Sequence, residues 1–272
     1  MISIQKVGIL AGLAGVLCLA GCRTAPKPTY TFFPPPPDEP RIQFLTGFST
    51  ETDLGGQSKF SRFVLGRERI QRPILKPYGI STVPGKLYIC DTQPANVSVV
   101  DLKKRRLRYL RPEGRGALQF PIGVVAEPDG TCYVTDTKRG QVLVYDAEGN
   151  LLLEIGKKNE MRPCGIALSG DRLLVTDLTN HCVRVYGNKG HNLLFQIPRN
   201  PGDTNAVLRS PTNVAVDRHG RIYVSDTGGF IVQIYDAEGN HLRTLGEMGL
   251  EPGRFALFKA DQAGAYGLPM HD

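Results

Sequence analysis

Four aspartates recur at matching places along the chain, each directly after a short apolar run: Asp91, Asp136, Asp177 and Asp226. Carboxylates in such numbers are typical of metal sites and of acid–base catalysis. A reacting group normally breaks a repeat, however, whereas these four are part of one. An aspartate that ends a strand accepts hydrogen bonds from the backbone N–H groups of the next turn. We therefore predict that the four aspartates are structural turn caps and that they hold no metal.

The cysteines are the second set of residues that could do chemistry. Two of the six, Cys18 and Cys22, lie in the N-terminal segment, and the others are Cys90, Cys132, Cys164 and Cys182. No pair has the C-x-x-C spacing, which excludes a zinc knuckle and a c-type haem attachment. The even count permits disulfides, but the sequence does not require them, and we predict buried free thiols.

The elements that position these residues form a repeat. The chain has 31 Gly and 20 Pro in 272 residues, a composition that suits short strands joined by turns, since both residues disrupt helix interiors. Four units open at Pro77, Pro121, Pro163 and Pro211, which are 44, 42 and 48 residues apart. Each unit holds three or four β-branched or aromatic runs separated by Gly, Asn or Asp. Four antiparallel strands in about 45 residues are typical of a β-propeller blade. We predict an all-β fold.

The motifs of these units resemble the NHL repeat family. The shared pattern is P-x-G-[IV]-[AV] at the opening, [IL]-Y-[IV]-x-D at the centre and V-x-V-[YF]-D at the close. The resemblance covers about residues 41–255. Within the family, the chain is similar to bacterial NHL-repeat lipoproteins with six blades. It implies a propeller of about five units (41–75, 76–118, 119–160, 161–208 and 209–254), an incomplete six-bladed ring, and an atypical tail over 255–272. The tail lacks further blade motifs, which indicates a truncated reading frame, a tail that packs across the gap, or a five-unit ring. Asn213 replaces the opening Gly of the last unit, and we expect it to tolerate a left-handed backbone there.

The propeller resemblance also implies which loops share a face. The loops after the fourth strand and between the second and third strands meet at one end, and residues there that differ between units are candidates for binding. The candidate binding face consists of Tyr78, Gln93, Lys138, Arg139, Arg162, Asn180, His181, Asn213 and Phe230. This mixture of polar, basic and aromatic side chains suits an acidic, peptide or glycan ligand, although an ordinary loop surface has a similar composition.

Metal chemistry of the kinds that occur in related propellers is not expected. Some NHL-type lyases hold zinc with several histidines, but only His181 falls on the candidate face here. Gluconolactonase-like propellers need a calcium cluster that includes a channel glutamate, and no such glutamate is evident. We predict no cofactor and no catalytic residue, and we expect a binding module more than an enzyme.

The N-terminus reads as an export and anchoring signal. Residues 1–21 combine Lys6 with an apolar stretch of about 13 residues, too short for a transmembrane helix, and Leu19-Ala-Gly-Cys22 resembles the bacterial lipobox. This resemblance implies lipidation of Cys22 and a cell-envelope protein. Arg23 favours the periplasmic side of the outer membrane in a Gram-negative cell. Residues 22–40 contain a proline-rich tether that we expect to adopt polyproline II.

The function that these features favour is an envelope-anchored scaffold whose propeller binds a protein, peptide or glycan. The alternative is a metal-dependent hydrolase or lyase that acts at the central channel. The net charge of +7 includes a basic run, Lys103–Arg108, which we place on the opposite face. Because the chain carries an export signal, we do not expect nucleic acid as a partner.

Overall fold

A computed structural model describes residues 31–34, 37–55, 73–190, 192–200, 202–249 and 254–255. The predicted signal peptide, Cys22 and most of the predicted tail lie outside these residues. The chain divides into two units, Met1–Gly47 and Phe48–Asp272. None of the helices among the described residues has the length and apolar character needed to cross a bilayer.

The first unit contains a two-stranded antiparallel sheet. Strand β1 (Thr31–Phe33) pairs with β2 (Ile42–Phe44), with Thr31 opposite Phe44. The strands consist of β-branched, aromatic and Gln residues, and the prolines lie between them, because proline cannot donate to a sheet ladder. Part of the segment predicted as a polyproline II tether is therefore a strand. Residues 56–72, about half of the predicted unit at 41–75, are not described.

The second unit contains four antiparallel sheets of four strands, and each sheet keeps the chain order of its strands. Blade one consists of β3 (Pro77–Val83), β4 (Lys86–Asp91), β5 (Asn96–Asp101) and β6 (Arg106–Leu110). Blade two consists of β7 (Pro121–Ala126), β8 (Cys132–Asp136), β9 (Gln141–Tyr145) and β10 (Leu151–Ile155). Blade three consists of β11 (Pro163–Ser169), β12 (Arg172–Asp177), β13 (Cys182–Gly187) and β14 (Asn192–Ile197). Blade four consists of β15 (Pro211–Val216), β16 (Ile222–Asp226), β17 (Ile231–Tyr235) and β18 (His241–Leu245).

These sheets confirm the predicted all-β propeller fold. Four blades lie in the described residues rather than about five, which is consistent with an incomplete propeller. Two short 3-10 turns, Gly114–Gly116 and Asn188–Gly190, are the helical elements among the described residues.

The opening glycines allow the inner strands to converge. The first strands of successive blades contact one another, β3 with β7, β7 with β11, and β11 with β15. A Cβ atom on Gly123 would lie 2.5 Å from the Cys164 carbonyl oxygen, and one on Gly165 would lie 2.6 Å from the Thr212 carbonyl oxygen. Glycine is required here by close backbone approach.

The prediction of a left-handed backbone at Asn213 is wrong. Asn213 is not among the residues with a positive φ, so it needs no left-handed conformation. The opening glycine of blade three, Gly165, packs against the backbone of Asn213. A Cβ on Gly165 would lie 2.6 Å from the Asn213 Cα. Asn213 itself is exposed. A side chain is accommodated at this position in blade four because it has open space.

The core consists of apolar layers between neighbouring blades. Leu143 and Tyr145 of blade two pack with Tyr88 and Val99 of blade one. Equivalent layers join blade two to blade three and blade three to blade four. Burial of these faces against each other is the main stabilising contribution in a stacked repeat.

The four cysteines of the propeller are free and buried, as predicted. Burial raises the pKa of the Cys132 thiol to about 12 and that of Cys182 to about 11. A thiol in such surroundings is a small apolar core residue and not a nucleophile.

Candidate binding face at one end of the propeller

Each repeated aspartate joins two loops at the same end of the propeller. In blade two, Asp136 accepts hydrogen bonds from Gln119 N–H (2.6 Å) and Phe120 N–H (3.1 Å) in the incoming loop, and from Lys138 N–H (3.1 Å) and Arg139 N–H (2.9 Å) in the next turn. The carboxylate therefore ties the loop that enters the blade to the turn between its second and third strands. A buried carboxylate is satisfied by such backbone donors.

The same bonds recur in the other blades. Asp91 accepts from Leu75 N–H (2.7 Å) and Lys76 N–H (2.8 Å). Asp177 accepts from Arg162 N–H at 3.0 Å, and Asp226 from Ser210 N–H at 2.6 Å. The register explains the recurrence, since each aspartate lies directly opposite the proline that opens its own blade. We call this end, formed by turns 92–95, 137–140, 178–181 and 227–230 and by the incoming loops, the capped face.

One backbone position on the capped face is left-handed in every blade. Gly140 has a φ of 68°, and the equivalent residues are Ala95 (49°), His181 (51°) and Phe230 (58°). Glycine adopts this region freely, whereas other residues do so at a cost of about 1 kcal/mol. The other three blades thus hold side chains on a backbone that favours glycine, and such positions concentrate at functional sites.

A cavity of about 470 Å³ lies between the inner strands where they leave the capped face. Tyr78 and Asn213 line it, together with Ile80, Ile122 and Cys164. Tyr78 is 62% exposed. The structure therefore brings two of the predicted face residues together at the channel and gives them an apolar wall.

Two predicted binding residues are instead part of the frame. The Arg139 guanidinium donates to the carbonyl oxygens of Arg115 (2.7 Å) and Ala117 (2.8 Å). The Asn180 amide donates to the Asp177 carboxylate (2.7 Å) and to the Glu160 carbonyl oxygen (3.0 Å). These side chains hold the incoming loops in place.

The other predicted residues on the turns and loops present their side chains to solvent. Gln93, Lys138, Arg162 and His181 are exposed, and His181 also contacts the Arg209 carbonyl oxygen through Nδ1 at 2.5 Å. Phe230 is half-buried and lines a separate cavity of about 240 Å³ with Phe255. It does not join Tyr78 and Asn213 at the channel cavity.

An ion-pair network in blade three was missed from the sequence. The Arg184 guanidinium donates through Nε to Asp177 Oδ2 and through Nη1 to Glu160 Oε1, both at 2.9 Å. Burial raises the pKa of Asp177, but hydrogen bonds, led by those from Asn180 and Arg162 N–H, outweigh burial and keep that pKa below its usual value. One feature of the sequence could have indicated this network. The same position of the third strand differs between units and holds Ser98, Leu143, Arg184 and Gln233 in turn.

The histidines of the described residues lie apart. His219 contacts Arg218, and His241 Nε2 contacts the Gln233 amide oxygen at 2.7 Å in blade four. No group of three His, Cys, Asp or Glu side chains within the described ranges is placed to hold a metal ion. His191 and His271 lie outside these ranges.

Comparison with known proteins agrees with the fold. The chain is 30% identical over 139 residues to the Protein brain tumor of Drosophila melanogaster, a match that covers 48% of this chain and 13% of that protein. No protein family profile matches the chain.

Two solved structures show the extent of the structural likeness. A nidogen/laminin complex aligns with a TM-score of 0.50 and 19% identity over 64% of this chain and 66% of that one. A streptogramin B lyase aligns with a TM-score of 0.49 and 14% identity over 61% of this chain and 53% of that one. At 19% identity, the likeness to the nidogen/laminin complex supports the fold alone. The chain is thus similar in fold to propeller proteins of known structure.

Proposed function

We propose that this chain is an NHL-type propeller whose capped face binds a protein, peptide or glycan partner. The observation that carries the proposal is the contrast between the repeated frame and what it displays. The aspartate caps recur in all four blades, whereas the residues that follow them differ from blade to blade. A rigid scaffold with variable exposed loops is the usual arrangement of a recognition surface.

The nature of the displayed groups supports a macromolecular partner. Lys138 and Arg162 are exposed cations on the capped face, and Tyr78 offers an exposed aromatic ring. Aromatic and arginine side chains contribute strongly to protein–protein interfaces. Acidic groups on the partner would complement the two cations.

The partner-binding proposal can be tested with a photo-crosslinking amino acid introduced in living cells. Placed at Lys138 or Arg162, it should give a discrete adduct of constant mass. Placed at Lys104, in the hairpin turn at the opposite end of blade one, it should not give that adduct. Charge reversal at the site that does not carry the crosslinker should reduce the adduct several-fold. Equal adducts from both ends, or adducts unaffected by charge reversal, would contradict the proposal.

We also propose that Cys22 carries a lipid that anchors the chain to the cell envelope, on the outer membrane if the cell is Gram-negative. The support is the sequence Leu19-Ala-Gly-Cys22 at the end of the apolar segment. We expect Cys22→Ser to lose incorporation of a labelled fatty acid and to leave the membrane fraction. Cys18→Ser is the matched control and should retain both properties. Membrane association of Cys22→Ser at the level of the unaltered chain would refute the anchor.

A further inference from the structure

A polar cavity of about 330 Å³ opens on the capped face between blade four and its incoming loop. Its floor includes Asp226 and Gln233, which are 1% and 2% exposed. Its wall includes Asn205, Val207 and Thr244, which are exposed. A buried carboxylate thus lies at the base of a cleft that solvent can reach.

In blade three, an arginine of the chain itself fills the equivalent place. Arg184 lies opposite Val175, two residues before the cap Asp177, and Gln233 lies opposite Val224, two residues before the cap Asp226. The two positions are therefore equivalent. The Arg184 guanidinium bonds both Asp177 and Glu160.

In blade two, a different arginine reaches the same region. The Arg139 guanidinium donates to the carbonyl oxygens of Arg115 and Ala117. These two residues flank Gly116, whose carbonyl oxygen accepts a hydrogen bond from the Tyr145 hydroxyl at 2.6 Å. A guanidinium thus lies beneath the incoming loop in blades two and three.

Blade four has the acceptors of this arrangement without its arginine. Asn205 and Val207 flank Ala206, whose carbonyl oxygen accepts from the Tyr235 hydroxyl at 3.0 Å, so they occupy the places of Arg115 and Ala117. The position of Arg139 holds Gly229, and that of Arg184 holds Gln233.

The Asp226 carboxylate is held by backbone donors of the incoming loop and of the following turn. It accepts backbone N–H bonds from Arg209 (2.7 Å), Ser210 (2.6 Å) and Gly229 (3.3 Å). No Lys, Arg or His in the described part of the chain forms an ion pair with it. Two carboxylate oxygens have about four acceptor sites, so at least one remains for a ligand.

We infer that this cavity binds the guanidinium group of an arginine side chain from the partner. A planar guanidinium has five N–H donors and can reach a carboxylate, a carbonyl and a hydroxyl together. The set consists of the Asp226 carboxylate, the carbonyl oxygens of Asn205 and Val207, and the Thr244 hydroxyl oxygen. Gln233 already bonds part of it, since its amide N–H donates to the Asn205 carbonyl oxygen at 3.0 Å and its amide oxygen accepts from the Thr244 hydroxyl at 2.7 Å, so a ligand would use the remaining lone pairs. An ammonium group is a more compact and more strongly hydrated donor that matches the set less well. The inference rests on the proposed function, because it supplies a specificity pocket within the capped face.

The test is a backbone amide NMR titration of the purified chain with N-acetyl-arginine amide, and with N-acetyl-lysine amide as the matched probe. Saturable shifts should cluster at Asn205, Val207 and Gly229, and the lysine probe should bind about tenfold more weakly. Gln233→Arg reproduces Arg184 and should abolish the response to both probes. If that variant does not fold, Gly229→Arg, which reproduces Arg139, serves the same purpose.

Two further variants decide between occupants. Arg184→Gln removes the internal guanidinium of blade three and should create a second arginine-binding site near Asp177. Arg209→Ala removes the exposed arginine that lines the cavity and should leave the affinity for the arginine probe unchanged.

Three outcomes would overturn the inference. A several-fold gain in affinity in Arg209→Ala would assign the site to the chain's own arginine. Equal binding of the two probes, or shifts away from the cavity, would overturn it as well. The NMR titration tests the pocket alone, whereas the cross-linking experiment tests partner binding by the capped face. Failure of the one proposal can therefore be distinguished from failure of the other.

Discussion

At the scale of single residues, the capped face separates residues that hold the frame from residues that it displays. The four aspartates, Arg139 and Asn180 bond mainly to loop backbone and to neighbouring side chains of the frame. His181 is exposed and also bonds the Arg209 carbonyl oxygen, and its backbone conformation favours glycine. A side chain is expected to be retained at such a strained position where it contributes to function more than to stability.

His181 therefore provides a test of function against stability. His181→Gly relieves the left-handed backbone, whereas His181→Ala keeps it, and both remove the bond to the Arg209 carbonyl oxygen. We expect the Gly variant to be more stable than the Ala variant by about 1 kcal/mol. Urea unfolding measures the difference. Both variants should weaken the partner adduct equally, and an Ala variant as stable as the Gly variant would show that no strain is stored there.

At the scale of elements, the inner strand explains the P-x-G opening of each unit. The proline begins the strand opposite the cap aspartate, where no ladder N–H is needed. The glycine lies where the inner strand of the next blade approaches within van der Waals contact. The motif therefore encodes the packing of one blade on the next more than the conformation of its own turn.

Substitution of one inner-strand glycine should have a large effect, and its counterpart in blade four a small one. In Gly123→Ala, the new methyl would lie 2.5 Å from the Cys164 carbonyl oxygen and 2.8 Å from Thr135 Oγ1. We expect a loss of roughly 1–3 kcal/mol from such overpacking. Asn213→Ala, at the exposed equivalent position, should change stability by less than about 0.5 kcal/mol. Thermal and urea unfolding of the two variants should differ accordingly, and comparable losses would contradict the role assigned to the glycine.

At the scale of the whole molecule, stability is shared among layers that each need two blades. The buried cysteines report on this arrangement, since Cys132 lies in the layer between blades one and two and Cys182 lies in the third strand of blade three. Their burial means that the folded chain strongly favours the neutral thiols. Ionisation of these groups is therefore coupled to unfolding of the blades around them.

This coupling predicts a specific alkaline lability. Burial raises the folded pKa of Cys132 to about 12 and that of Cys182 to about 11, from an ordinary value of 9.0. Because each folded pKa lies above the unfolded one, the stabilising contribution is complete below pH 9 and is lost as pH rises towards the folded pKa. The free energy of unfolding should fall by up to about 1.4 kcal/mol per pH unit for each thiol above pH 9.

Urea unfolding at several pH values with the Cys132→Ala variant measures this contribution. The variant starts from a lower stability because it leaves a small cavity. Above pH 9, the free energy of unfolding of the variant should nevertheless fall less steeply with pH than that of the unaltered chain. The difference in slope should be up to about 1.4 kcal/mol per pH unit. Parallel slopes would mean that Cys132 titrates alike in both states.

The period, the four-strand content of each unit, the position of the cap aspartates and the burial of the cysteines could be predicted from the residue pattern alone. These follow from local rules: alternating β-branched residues, turn residues at fixed offsets, and one aspartate at the end of the same strand in each unit. The residue pattern also located the capped face, because loop order in a propeller places those turns at one end. Its assignment of Arg139 and Asn180 to a displayed surface did not anticipate that both side chains are used within the frame.

The pairing of side chains from different segments could not be predicted, because it depends on the three-dimensional packing of the chain. The network of Arg184 with Glu160 and Asp177, and the corresponding cleft above Asp226, depend on a loop from the preceding connection folding over the third strand. Residues 24 and 28 positions apart in the chain meet there, and no local periodicity reports such contacts. For the same reason the demand for glycine at position 123, and its absence at position 213, became explicable only once the neighbouring strands were in place.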